Sequence, residues 1–215
     1  MRDNYSTLIV GQTQSGKTSW LLQNILPVYF RKKMPLYLFY NRANIKYQAI
    51  INRLDFYEIV TYDKESGEKK TELKENIPLK KIKEIENKRG LKMEDYIHFI
   101  KVTDILQTYP FVEDELNVAA IFDDCLDIMT EKPPPRLQNM LRANGASNRE
   151  MFFIYHCFGD LHRRVTGYVN KIVCFETNDN PRVKTGYFNA ATCKMFDEKM
   201  KKLKKYECFE LPYRS

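Results

Sequence analysis

Residues 6–18, STLIVGQTQSGKT, limit the fold more tightly than any other stretch of the chain. A short apolar run leads into a loop bounded by Gly11 and Gly16, then into Lys17 and Thr18 at the head of the amphipathic segment KTSWLLQNILPVYF. The pattern GxxxxGK[ST] places glycine where a loop must bend tightly and let its amides approach phosphates. Lys17 then faces the β and γ phosphates, the Thr18 hydroxyl ligates Mg²⁺, and the positive end of the following helix points at the same anion. Strand, loop and helix come in the order this chemistry needs. Gly11, Gln12, Thr13, Gln14, Ser15, Gly16, Lys17, Thr18 and Ser19 are therefore expected to cradle ATP, with Mg²⁺ on Thr18.

The remainder of the chain alternates short apolar runs with amphipathic segments, which is the pattern of an α/β protein with a mainly parallel sheet. Strands are expected at 6–10, 35–40, 57–62, 118–122, 151–156, 171–176 and 206–211. Their near-continuous apolar character suits a sheet covered by helices on both faces. Helices are expected at 17–30, 45–54, 79–88, 93–107, 134–144, 159–168 and 188–204. Residues 63–92 carry dense charge of both signs and read as a solvated excursion with one short helix. Across 215 residues no repeat or low-complexity linker marks a boundary, so one P-loop NTPase domain of the ASCE (RecA-like) type is expected over 1–215.

Composition narrows the setting. The five cysteines form no CxxC pair, which argues against a zinc knuckle or a disulfide framework and for a reducing environment. The opening residues MRDNYSTLIV lack a signal-peptide core, and no run approaches the roughly 18 apolar residues that span a bilayer. A net charge of +7 favours polyanionic partners.

The run NVAAIFDDC ends an apolar strand in two carboxylates. In the Walker B arrangement Asp123 organises Mg²⁺ and Asp124 orients the attacking water, a second acid typical of P-loop enzymes that hydrolyse ATP to do mechanical work. Two adjacent acids also suit a helix N-cap, so that alternative stands beside the catalytic one. The [NT]KxD element of GTP switches is missing, as are the clustered cysteines of zinc-bearing thymidine kinases. A nucleoside or nucleotide kinase and a P-loop phage assembly factor remain as competing functions.

The stretch LRANGASNREMFFIYHCFGDLHRRVTGYVNKIVCFETND combines an arginine-bearing segment, a strand with a polar end, and a further strand. With the P-loop and the paired aspartates it resembles the FtsK–HerA superfamily and, within it, the genome-packaging ATPases of tailless viruses with internal membranes or of poxvirus-like kind. The matched parts are roughly 5–18, 116–125 and 140–180. The resemblance implies an ATPase that pulls double-stranded DNA into a preformed capsid as a homo-oligomeric ring. It also implies capsid or vertex proteins as partners, and a place in the host-cell cytoplasm or on the virion. It puts the γ-phosphate sensor at His156, where the family usually has Gln or Asn, on a strand lying between the Walker A and Walker B strands. It puts the trans arginine finger at Arg142, with Arg149 as second choice and Arg163 and Arg164 behind. A strand-end histidine is as often a structural residue, and exposed arginines as often decorate a surface. Lysines within 69–92 and 199–205 are the candidates for lining a DNA path.

Overall fold

The computed structural model describes residues 6–63, 66–129, 134–161, 163–181 and 188–212. In chain order its elements are β1 (Ser6–Val10), α1 (Lys17–Asn24), α2 (Leu26–Lys32), β2 (Leu36–Tyr40), α3 (Ile45–Ile51), β3 (Phe56–Tyr62), β4 (Lys69–Glu75) and α4 (Ile77–Arg89). They continue with β5 (Ile97–Lys101), α5 (Tyr109–Val112), β6 (Ala119–Phe122), α6 (Cys125–Ile128), α7 (Pro135–Ser147), β7 (Glu150–Tyr155), α8 (Arg163–Thr166), β8 (Lys171–Cys174), α9 (Ala190–Met200) and β9 (Phe209–Pro212).

Seven strands form one sheet in the order β5-β2-β6-β7-β1-β8-β9. All neighbours run parallel except β9, which closes the edge antiparallel to β8. Side chains alternate between faces with a period of two, so each buried strand feeds two cores. Leu8 and Val10 of β1 and Met151, Phe153 and Tyr155 of β7 enter the core that also holds Leu137, Leu141, Val165 and Phe196 of α7, α8 and α9. Ile9, Phe152 and Ile154 point the other way, into the core with Leu21, Leu22, Leu26, Phe30 and Ile82 of α1, α2 and α4. The expected α/β architecture, a mainly parallel sheet flanked by helices, is what the chain adopts.

Several expected elements differ, each for a local reason. The helix expected over 17–30 is two helices meeting at Ile25, because Pro27 lies in the first turn of the second and has no N–H to continue the first. The strand expected at 57–62 does not join the central sheet. It pairs antiparallel with β4, from Phe56 opposite Glu75 to Tyr62 opposite Lys69, in a separate two-stranded ribbon. The β4 sequence KKTELKE is rich in residues that strands disfavour, so its strand state depends on that pairing. The excursion is thus half ribbon, and its helix buries Leu79, Ile82 and Ile85. The helix expected over 93–107 is replaced by the edge strand β5 between two 3₁₀ turns. β5 is paired to β2 through Leu36 opposite Ile97, and Asp104 caps the turn that follows it. The last expected helix stops at Met200, and the lysine run beyond it is turn rather than helix.

β6, β7 and β1 are successive in the sheet and parallel, so their C-terminal ends open on one edge. The loop after β1 is fastened there by Gly11 N–H to the Tyr155 carbonyl (3.2 Å) and Gln12 N–H to the Glu176 carbonyl (2.8 Å). Gly11 allows this approach: a Cβ at that position would lie 2.5 Å from Phe175 Cβ and 2.8 Å from Ser15 Oγ. Gly11→Ala should therefore cost about 2 kcal/mol by overpacking and lower Tm by roughly 4–8 °C, read by thermal unfolding. An unchanged Tm would mean that the loop does not need this contact.

Candidate functional site

The loop between β1 and α1 turns through two residues of positive φ, Gln14 at 64° and Gly16 at 104°. Gly16 is the residue preceding α1, and no side chain caps that helix. Its first amides have no intrahelical acceptor and face outward as an anion-accepting end. Lys17 is only 7% exposed. Its ammonium donates to the Gly11 carbonyl and, at 2.9 Å, to the Gln12 carbonyl. Burial drives Lys17 down to about 8, while the carboxylates of Asp123 and Asp124 pull the other way.

Across the sheet edge, β6 ends in those two aspartates. Asp123 continues the strand, its N–H bonding the Phe39 carbonyl at 2.9 Å. Its carboxylate is buried, which raises its pKa, and the hydrogen bond it accepts from the Tyr47 hydroxyl opposes that rise. Burial and the two aspartates raise the Tyr47 pKa, whereas Thr18, beside its hydroxyl, favours the ionised form. Tyr47 thus stands between Thr18 at the head of α1 and Asp123 at the end of β6. Asp124 takes a left-handed backbone, φ 57° and ψ 61°, a conformation that Asp tolerates better than most residues. It stands where an N-cap of α6 would, but its side chain makes no cap bond. Its Oδ1 lies 3.0 Å from His156 Nε2 instead. The capping alternative for the aspartate pair therefore does not describe Asp124.

A cavity of about 820 Å³ opens over this edge, lined among others by Thr13 to Ser19, Asp123, Asp124 and His156. Gly11 and Gln12 stand behind the cavity wall and supply the carbonyls that Lys17 uses. Ser15 Oγ and His156 Nδ1 are buried on residues of that wall with no hydrogen-bond partner among the described residues. A concave site with convergent cationic groups, helix amides and unsatisfied polar atoms fits a polyphosphate. Thr18 and Asp123 fit Mg²⁺, which takes few protein ligands and completes its shell with phosphate and water. Among the described residues no three His, Cys, Asp or Glu side chains form a ready-made metal cage.

Three residues at the site, Lys46 on the cavity wall, Tyr47 behind it and Tyr206 also on the wall, are not signalled by the sequence. Lys46, at the start of α3, donates to Ser19 Oγ at 2.6 Å, and burial lowers its pKa. Tyr47 is fully buried against Tyr40 and Phe99. Tyr206 reaches the cavity from the turn before β9. Only the spacing of β2, the Asn44 cap and α3 brings the first two to the loop, and no local motif signals it.

The arginines divide. Arg149 is buried, its guanidinium donating to the carbonyls of Glu115 (3.0 Å) and Glu113 (2.5 Å) at the start of β7, at the opposite end of that strand from the cavity. It is committed to its own chain and does not suit a finger. Arg142 is exposed on α7, its Nε donating to the Tyr168 hydroxyl at 2.8 Å, and it is not among the residues lining the cavity. The side chains of Arg163 and Arg164 lie outside those described. Of the lysines expected along a DNA path, Lys70, Lys74, Lys80 and Lys83 pair with acids of the ribbon and its surroundings, and Lys199 donates to the Glu210 carbonyl.

No family model matches the chain, and no curated protein matches its sequence. Its structure is similar over its whole length to the genome packaging NTPase B204 from Sulfolobus turreted icosahedral virus 2. In complex with sulfate that protein matches with a TM-score of 0.58 at 15% identity, covering 100% of this chain and 94% of that one. In complex with ATP-gammaS it matches with a TM-score of 0.58 at 15% identity over 99% and 94%. B204, the DNA-packaging ATPase from Sulfolobus Turreted Icosahedral Virus, matches with a TM-score of 0.56 at 16% identity over 99% and 94%. At these identities the likeness establishes the fold.

Proposed function

We propose that this chain is an ATP-driven motor that moves double-stranded DNA into a preformed viral capsid. The observation that carries the reading is the meeting of Lys17, Thr18, Asp123 and Asp124 in one cavity, on a fold shared end to end with a genome packaging NTPase.

Each residue has a role in ATP hydrolysis. The amides of Thr13 to Thr18 and the Lys17 ammonium bind the phosphates, and Lys46 and Arg42 add positive charge on the same wall. Thr18 and Asp123 hold Mg²⁺, which when bound neutralises charge on the β and γ phosphate oxygens. Asp124 accepts a hydrogen bond from the attacking water and orients it. His156, just past the end of the strand between β1 and β6, holds that carboxylate and would serve as the γ-phosphate sensor. Copies of the chain form a ring, and movements of loops around the site pull DNA through it toward capsid or vertex proteins. Exposed lysines of the β3–β4 ribbon and of 199–205 supply a sequence-tolerant grip. Their local acidic partners weaken that grip. The site of action is the host-cell cytoplasm or the assembling virion. One domain over 1–215 performs all of this.

The test is ATPase rate with and without long double-stranded DNA. Stimulation by DNA is expected, with Lys17→Ala lowering the rate roughly 10²-fold or more. DNA affinity should fall on the order of 10³-fold between about 50 and 200 mM salt if about six phosphates are gripped. Transfer of the γ-phosphate to a nucleoside, with hydrolysis indifferent to DNA, would instead make the chain a kinase. Nucleotide-dependent oligomerisation with very slow turnover would make it an assembly factor.

Arg142 is the residue proposed to reach a neighbouring subunit's γ-phosphate, because it is exposed and lies off its own cavity. Rings mixed from Lys17→Ala and Arg142→Ala chains should regain measurable ATPase, since some interfaces combine an intact loop with an intact arginine. Proven co-assembly with no recovery would remove Arg142 from that role.

A further inference from the structure

The cavity extends past the phosphate loop to an aromatic side chain that the hydrolysis scheme does not use. Residues Lys204 to Glu207 form a tight turn, with Glu207 N–H bonded to the Lys204 carbonyl at 3.0 Å and Lys204 N–H to Glu207 Oε2 at 3.1 Å. Tyr206 occupies its third position with φ 69°, a left-handed conformation that turns normally give to glycine. A bulky residue there is an outlier, and the fold gains no buried packing from it because Tyr206 is 62% exposed. What the turn achieves is placement. The Tyr206 ring comes within 3.4 Å of the point where a Cβ of Gly16 would stand, and the ring is part of the cavity wall.

Strand order says which end of a nucleotide meets this ring. From β1, the aspartates on β6 lie to one side beyond β7, whereas the Tyr206 turn leads into β9 on the other side beyond β8. The γ-phosphate must face the aspartates, so the non-reacting end of the molecule points toward Tyr206. We infer that Tyr206 is the platform on which the purine base of the nucleotide stacks, an inference that rests on the nucleotide-hydrolysing reading above. The ring's present neighbour is the Lys205 ammonium, 5.1 Å over its centroid. An exposed cation–π contact of that kind is weak, and an incoming base displaces it readily.

The test compares ATP-gammaS with inorganic tripolyphosphate, which carries the phosphates and no base, on the wild-type chain, Tyr206→Gly and Tyr206→Phe. Trp20, the only tryptophan of the chain and itself a wall residue, supplies a fluorescence signal. Glycine accepts the turn's backbone freely, so Tyr206→Gly should unfold at the same or a higher temperature. It should bind ATP-gammaS about tenfold more weakly while keeping tripolyphosphate within about twofold, and Tyr206→Phe should match wild type for both. Unchanged ATP-gammaS affinity in Tyr206→Gly, or equal loss of both ligands, overturns the platform. A wild-type chain that binds neither ligand overturns the nucleotide reading beneath it.

Discussion

A buried ammonium governs this molecule's active edge. Lys17 sits almost out of solvent, where an uncompensated charge is costly, and burial has driven its pKa down to about 8. Its company is all acceptor: the carbonyls of Gly11 and Gln12 below, and the two aspartates across the edge. The loop can offer those carbonyls because Gly11 lets it settle on Phe175 and Glu176, and the aspartates are in range because β6, β7 and β1 end together. A triphosphate is the natural guest for such a centre, since it brings negative charge to a place already arranged around one cation.

Tyr47, supplied by α3, links the two halves of the site: its hydroxyl donates to Asp123 at the end of β6 and stands beside Thr18 at the head of α1, more than a hundred residues earlier. Movement of α3 would therefore be felt at both residues that suit Mg²⁺. The β3–β4 ribbon follows α3 directly and lines the same cavity through Tyr57, Ile59 and Lys74. The cavity and the exposed ribbon are thus adjacent in this fold.

Much of this was legible in the sequence where the signal is local. STLIVGQTQSGKT specifies strand, loop and helix at once, and VAAIFDD and MFFIYH are apolar runs too short for helices, with polar residues at one end. Position in the sheet was legible only through resemblance, which put the His156 strand between the other two. What stayed hidden depends on distant partners. The lysine-rich β4 is a strand because β3 is beside it, and β5 is an edge strand although its sequence also fits a helix. Lys46 and Tyr47 enter the site through a crossover that no spacing rule encodes. Tyr206 stayed hidden for another reason. It holds a left-handed position that turn chemistry assigns to glycine, whereas the sequence pattern makes it the first residue of a strand over 206–211 that in fact starts at Phe209.

The most direct measurement is a crystal structure with Mg²⁺ and ATP-gammaS bound. The account requires the Lys17 ammonium to leave the Gly11 and Gln12 carbonyls for a γ-phosphate oxygen at hydrogen-bond distance, about 2.7–3.2 Å. It also requires the metal to lie between Thr18 and Asp123, with Asp124 turned toward the γ-phosphate. A nucleotide lodged elsewhere, with Lys17 still bound to its own loop and the aspartates facing no metal, would contradict it.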